Sequence, residues 1–168
     1  MSQPRRKEKT VRDVVPPDIE VLHLDATTRE EAIRVLVSTL VAQDVIDLER
    51  EPELRTAILE REKVASTGIG NGIALPHGKS KHAKKLGVTV GLSAQGIDFN
   101  SRDSIPAYVI VMWICEPRQV KQHLALMRGL ATVAKDPDRA GQLAAVRDRR
   151  QFLDFLGTIP LEEKDGGK

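Results

Sequence analysis

From residue 28 onward, apolar positions recur at helical spacing: Ile33, Leu36, Val37, Leu40 and Val41 fall on one face. Thr27 followed by Glu30 forms a capping-box pattern ahead of them, so the spacing predicts a helix from about Thr28 to Ala42. Asp47 or Glu51 opens a second helix, in which Leu54, Ala57 and Ile58 mark the inward face and Arg61 follows one turn later on that face. Elsewhere the period changes to two. Val21, Leu22 and His23 read as a strand, and so do Val88, Val90 and Leu92, with Ile97 and Phe99 beginning or continuing a hairpin partner beyond Gly96. Ala107 to Cys115 is a continuous apolar run, as expected of a strand buried on both faces and therefore central in a sheet. After Pro117 a helix carrying Val120, Leu124, Met127 and Ala131 runs to about Lys135. Asp136-Pro137 caps and starts another, and a last helix around Phe152 to Leu156 stops at Gly157 and Pro160. Helices and strands interleave. The expected fold is α/β, a single domain with a mixed β-sheet flanked by helices.

Composition supports one core and narrows the function classes. The chain has 168 residues, 40% of them apolar, within the usual range for one domain. No apolar run is long enough to span a bilayer and the N-terminus has no hydrophobic signal core, so the expectation is a soluble, cytoplasmic protein without membrane insertion. Cys115 is the one cysteine; inside an apolar run, it reads as a small buried hydrophobe. A net charge of +2 does not point to nucleic acid. Basic residues bunch at Arg5, Arg6, Lys7, Lys9 and Arg12, ahead of Pro16 and Pro17. That segment is too polar to order itself, so residues 1–17 are expected to be a flexible basic arm, 18–160 the domain, and 161–168 a frayed tail.

The candidate chemistry lies between Ser66 and Gly78, in the loop Ser-Thr-Gly-Ile-Gly-Asn-Gly-Ile-Ala-Leu-Pro-His-Gly. Ile73 to Leu75 is a short extended stretch, because Leu75 precedes proline, and His77 emerges at its end before Gly78. Gly68, Gly70, Gly72 and Gly78 would let backbone N–H groups face an anion, with Ser66, Thr67 and Asn71 adding side-chain donors. The blander alternative is a tight surface turn that binds nothing. A phosphoryl acceptor must be uncharged at working pH, and an imidazole with an ordinary pKa of about 6.5 meets that need. The phosphoryl group in turn needs fixed positive charge, which the Arg61 guanidinium could supply unless it is spent on Glu60 or Glu62. His123 falls near a helix start, where imidazolium is disfavoured, a weak pointer by itself. His82 sits among Lys79, Lys81, Lys84 and Lys85, which read as a solvated group able to steer an acidic partner or phosphate, and His23 reads as structural. A P-loop is excluded, since counting back from Gly78-Lys79-Ser80 lands on Ile73 where glycine is required. His77 and His82 match no zinc spacing, so no metal and no cofactor is expected.

With Arg61-Glu62-Lys63 and the loop ending in Leu75-Pro76-His77-Gly78, the chain resembles the mannitol/fructose class of enzyme IIA domains of the bacterial phosphotransferase system, most of all the free-standing nitrogen-regulatory members. The resemblance runs from about Val21 to Leu156. It implies a phosphohistidine at His77, formed by transfer from an HPr-like phosphocarrier, with Arg61 bracing the group. It also implies that His123, within Lys121-Gln122-His123-Leu124, is a second active-site histidine, and that the fold is a single α/β domain. The sequence departs from the family pattern in its basic arm and in Ser101 to Pro106, which lacks the usual glycine or asparagine turn before the proline. Two functions follow: a regulator whose phosphorylation state changes its affinity for a transporter or kinase, or a carrier that passes the group to a sugar-specific IIB domain. The chain has neither permease helices nor a domain with a nucleophilic cysteine, which favours the regulator. A homo-dimer is compatible with both.

Overall fold

The computed structural model describes residues 7–162, in which six strands form one mixed sheet covered by helices on both faces. Strand β1 (Glu20–His23) leads to helix α1 (Arg29–Ala42), and α2 (Glu51–Val64) follows after a 3-10 turn at Leu48–Arg50. Three short strands come next, β2 (Gly68–Gly70), β3 (Ile73–Ala74) and β4 (His77–Lys79), then the long β5 (Gly87–Ile97) and β6 (Ala107–Cys115). Helices α3 (Val120–Lys135), α4 (Pro137–Ala144) and α5 (Arg149–Leu156) complete the domain. The sheet order is β1-β5-β6-β3-β2, with β4 also paired to β6. β5 and β6 run antiparallel, whereas β1 lies parallel to β5, and β3 and β4 lie parallel to β6. No helix among the described residues is long and apolar enough to cross a membrane.

The apolar run of β6 divides by parity. Val109, Val111, Trp113 and Cys115 join the core under α3, α4 and α5, while Ile110, Met112 and Ile114 join the core under α1 and α2. A strand with helices against both faces has no solvent side to mark with polar residues. Cys115 is fully buried, and burial raises its thiol pKa, as its place in this run leads one to expect.

Four local expectations need correction. The first helix is capped by Thr28, whose hydroxyl accepts from the Glu31 N–H at 3.2 Å, and Glu31 reaches back to the Thr27 N–H at 2.9 Å; the box is one residue later than the Thr27/Glu30 reading. Ile97 continues β5 past Gly96 at φ +82 and pairs with Ala107 of β6, so Ile97 and Phe99 start no hairpin of their own. His77 does not end the extended stretch before it. Pro76 offers no N–H, the pairing of β3 lapses there, and His77 opens β4 in register with Trp113.

The fourth correction concerns the basic arm. From Lys9 the chain is docked: Val11 is buried with a 3-10 turn at Val11–Val14, its N–H donates to Ile159 O at 2.9 Å, and the Leu161 N–H donates to Lys9 O at 3.0 Å. Gly129 permits this, because a Cβ there would meet Val11 Cγ2 at 2.9 Å and Ile159 Cγ2 at 3.1 Å. Arg12 pairs with Asp154 at 3.0 Å. The expectations for Arg5, Arg6 and the end of the tail lie outside the described residues. In the segment flagged before Pro106, Ser104 takes the left-handed conformation, φ 60, that glycine or asparagine would adopt more cheaply.

Candidate active site

Pairing β4 to β6 sets His77 beside Trp113, and cross-strand partners put their side chains on the same face. The two rings stack, with centroids 5.0 Å apart and planes within 12°. The first turn of α3 brings His123 onto the pair, its ring 5.2 Å from His77 and 5.9 Å from Trp113. From the other side, α2 contributes Leu54, Ala57, Ile58 and Arg61. Together with His77, Gly78, Lys79 and His123 they line one shallow depression. Of the four residues expected on the inward face, Leu54 and Ile58 are buried, whereas Ala57 and Arg61 are exposed and Glu62 takes the buried position one turn on.

Hydrogen bonds fix the roles of both imidazoles. His77 Nδ1 lies 2.7 Å from Leu75 O, and a carbonyl only accepts, so Nδ1 carries the proton and Nε2 keeps its lone pair. His123 Nδ1 lies 3.1 Å from Trp113 Nε1, and an indole nitrogen only donates, so Nδ1 accepts and the proton of neutral His123 sits on Nε2. Burial pushes the His77 pKa below the ordinary imidazole value; the Arg61 and Lys79 charges add to this, against the Leu75 carbonyl and Glu62. Burial likewise lowers His123, followed by the charges of His77 and Lys79. Both rings are therefore neutral at pH 7, one presenting a nucleophilic lone pair and the other an N–H donor.

Arg61 is exposed and makes no ion pair with Glu60 or Glu62; one guanidinium N–H donates to Ala65 O at 3.1 Å, which ties it to the end of α2, and the residue lines the depression. Glu62 is buried instead, accepting from the Thr67 N–H at 2.8 Å and the Thr67 hydroxyl at 2.7 Å.

The donors read as phosphate-binding are not gathered at the depression, except for the backbone of Gly78. Thr67 is committed to Glu62, and the Gly68 N–H donates to Ser66 Oγ, which itself donates to Phe99 O. The Asn71 N–H donates to Asp103 at 2.7 Å and its side-chain amide to Ala134 O at 2.6 Å. Gly70, Asn71 and Gly72 have φ of +96, +53 and +80: this part of the loop is the tight turn joining antiparallel β2 and β3. Ser66, Thr67, Gly68 and Asn71 thus build the turn that holds His77 and do not present donors to an anion.

Sequence alone groups Lys79 with the solvated lysines and gives Trp113 no role, yet both belong to the site. Lys79 lines the depression two positions after His77, the spacing that shares a strand face, a relation that follows only once His77 opens β4. Trp113 is far from His77 in sequence, and no local pattern announces a cross-strand partner. His82 lies in the turn after β4, its N–H held by Ser80 Oγ at 3.1 Å, and His23 is exposed at the end of β1.

Comparison with known proteins places the chain in a family. The fructose-specific EIIA component of the phosphotransferase system from Haloferax volcanii is 30% identical over 149 residues, 89% of this chain and 96% of that protein. A nitrogen regulatory protein of Bradyrhizobium diazoefficiens is 25% identical over 150 residues, again 89% and 96% of the two chains. Among solved structures, the Escherichia coli complex of enzyme IIA-mannitol with phosphorylated enzyme IIB-mannitol contains a chain that superposes with a TM-score of 0.67 at 26% identity, covering 85% of this chain and 96% of that one. Residues 16–158 match the family model for the phosphoenolpyruvate-dependent sugar phosphotransferase system, EIIA 2, and the chain belongs to that family.

Proposed function

We propose that this chain is a cytoplasmic phosphohistidine protein that accepts a phosphoryl group on His77 Nε2 from the phosphohistidine of an HPr-like carrier and regulates a transporter or kinase through its phosphorylation state. The observation that carries this reading is the bond from His77 Nδ1–H to Leu75 O, which leaves Nε2 free at a depression lined by Arg61, Lys79 and His123. In the step, the Nε2 lone pair forms a bond to phosphorus while the donor's N–P bond breaks, its electron pair staying on the donor nitrogen. The His77 ring keeps its Nδ1 proton and becomes cationic, which strengthens its bond to Leu75 O. In this reading Arg61, Lys79 and the Nε2–H of His123 stabilise charge on the transferring oxygens.

Onward transfer to a sugar-specific IIB domain is the second reading, favoured by the fructose-specific relative and the structural neighbour bound to phosphorylated IIB. Incubation with phosphoenolpyruvate, the general phosphotransferase proteins and a panel of IIB domains separates the two. The regulatory reading expects stable phosphate on His77; rapid discharge to one IIB domain overturns it in favour of the carrier.

Arg61→Ala slows phosphorylation by about 10- to 100-fold, the size of one lost hydrogen bond to a charged group. It also raises the His77 pKa, because the guanidinium is one of the charges holding it down. Following the His77 ring by NMR, the wild type titrates below about 6.5 and the variant at a higher pH; an unchanged or lower midpoint would show that Arg61 does not act on His77. The same depression has a stability consequence. A histidine whose folded pKa is lowered leaves stability intact above its unfolded value and loses it as pH falls through about 6.5 toward the folded pKa.

A further inference from the structure

Resting on that reading of His77, we propose that Trp113 is a positioning residue for the transfer: it fixes His123 in the tautomer that donates from Nε2, and its ring braces the His77 imidazole. Trp113 is the chain's one tryptophan, fully buried on the central strand β6. It touches both histidines, stacked on His77 and hydrogen-bonded through Nε1–H to His123 Nδ1 at 3.1 Å.

The chemistry that needs this contact is specific. A neutral imidazole divides between two tautomers unless a neighbour chooses for it, and each tautomer shows the opposite polarity at its far nitrogen. With the proton on Nδ1, His123 would turn a lone pair toward the transferring phosphoryl and repel its oxygens. With the proton on Nε2 it becomes a donor. The indole has no lone pair to offer, so it excludes the first state and selects the second. Leu75 O applies the complementary constraint to His77, holding the proton on Nδ1 and freeing Nε2. One backbone carbonyl and one indole thus give two adjacent imidazoles opposite roles, nucleophile and donor. The other charged groups at the depression are Arg61 and Lys79, both cationic and neither able to accept a proton from His123. Because the indole is rigid, buried and shared, it also sets the spacing of the two rings, 5.2 Å between centroids.

The decisive measurement uses unphosphorylated wild-type protein: the ring nitrogen-15 shifts of His123 and the scalar coupling across the indole N–H to its Nδ1. The expected result is an unprotonated, hydrogen-bonded Nδ1 and a protonated Nε2; a protonated Nδ1 overturns the proposal whether or not the protein is ever phosphorylated. In Trp113→Phe, which keeps a stacking ring and removes the donor, His123 should show both tautomers and the rate of phosphoryl uptake should fall roughly five- to tenfold, the size of one lost neutral hydrogen bond. In a His123→Ala background the same change should cost at most about twofold, since the partner through which it acts is gone. Full additivity of the two losses overturns the assignment and leaves Trp113 as core filling. Absence of any phosphate on wild-type protein would instead refute the function assigned to His77, and the tautomer result would stand apart from it.

Discussion

His77→Ala abolishes phosphoryl uptake and leaves the fold in place. The wild-type protein, incubated with phosphoenolpyruvate and the general phosphotransferase proteins, gains one acid-labile phosphoryl group by mass spectrometry, and the variant gains none. No neighbour can take over. His123 is the nearest imidazole, but its Nδ1 lone pair is engaged by the Trp113 indole and its Nε2 carries the proton, so it has no free lone pair while neutral. Lys79 presents an ammonium, three donors and no lone pair. The structural cost is small. His77 is half-buried, its strand pairing uses backbone groups, and the ring contributes one stack on Trp113, about 0.5–1.5 kcal/mol by analogy with aromatic pairs, and one hydrogen bond to Leu75 O, about 0.5–1.5 kcal/mol more. Urea denaturation should therefore show a modest loss alongside total loss of uptake. Equal phosphate on the variant and the wild type would move the acceptor elsewhere and overturn the central assignment.

Features set by nearby residues are legible along the chain, and those set by distant partners are not. Helices α1 and α2 were legible because their buried positions repeat every turn, and β6 was legible because burial on two faces leaves an unbroken apolar run. That His77 and Arg61 line one depression is legible for the same reason: a histidine after proline in a glycine-rich stretch is a local mark, and Arg61 follows Leu54, Ala57 and Ile58 at helical spacing. The misread features rest on partners distant in sequence. Asn71 looked free, but its amide is spent on Ala134 O, and the residues that bury Val11 lie along α3 and near Ile159. The tight turn at Gly70–Gly72 and the strand opened by His77 share glycines with an anion-binding loop, and only the pairing to β6 tells them apart. Trp113 shows the limit most clearly. Its role comes from register across two strands and from a helix turn, neither of which has a local signature.

Glu62→Ala is expected to cost about 2–4 kcal/mol of stability, because it strands two buried donors at once. Glu62 and Thr67 are 3% and 5% exposed, so no bulk water replaces the lost acceptors of the Thr67 N–H and hydroxyl. The damage also reaches the site along a short path. Thr67 O accepts from the Leu75 N–H at 2.9 Å, and Leu75 O holds His77 Nδ1 at 2.7 Å, so α2 steadies the His77 ring through Glu62, Thr67 and Leu75 in turn. Loosening Thr67 relaxes the carbonyl that selects the His77 tautomer, and phosphoryl uptake should slow even where the variant remains folded. Glu62→Gln is the discriminating control. Its amide oxygen can accept from the Thr67 N–H while its NH₂ donates to the Thr67 hydroxyl, which serves equally as acceptor, so both contacts survive with one reversed. Urea midpoints should place Glu62→Gln close to the wild type and Glu62→Ala well below it, with uptake rates in the same order. If the two variants melt together, the Glu62 carboxylate is not what anchors the turn, and the path from α2 to His77 fails with it.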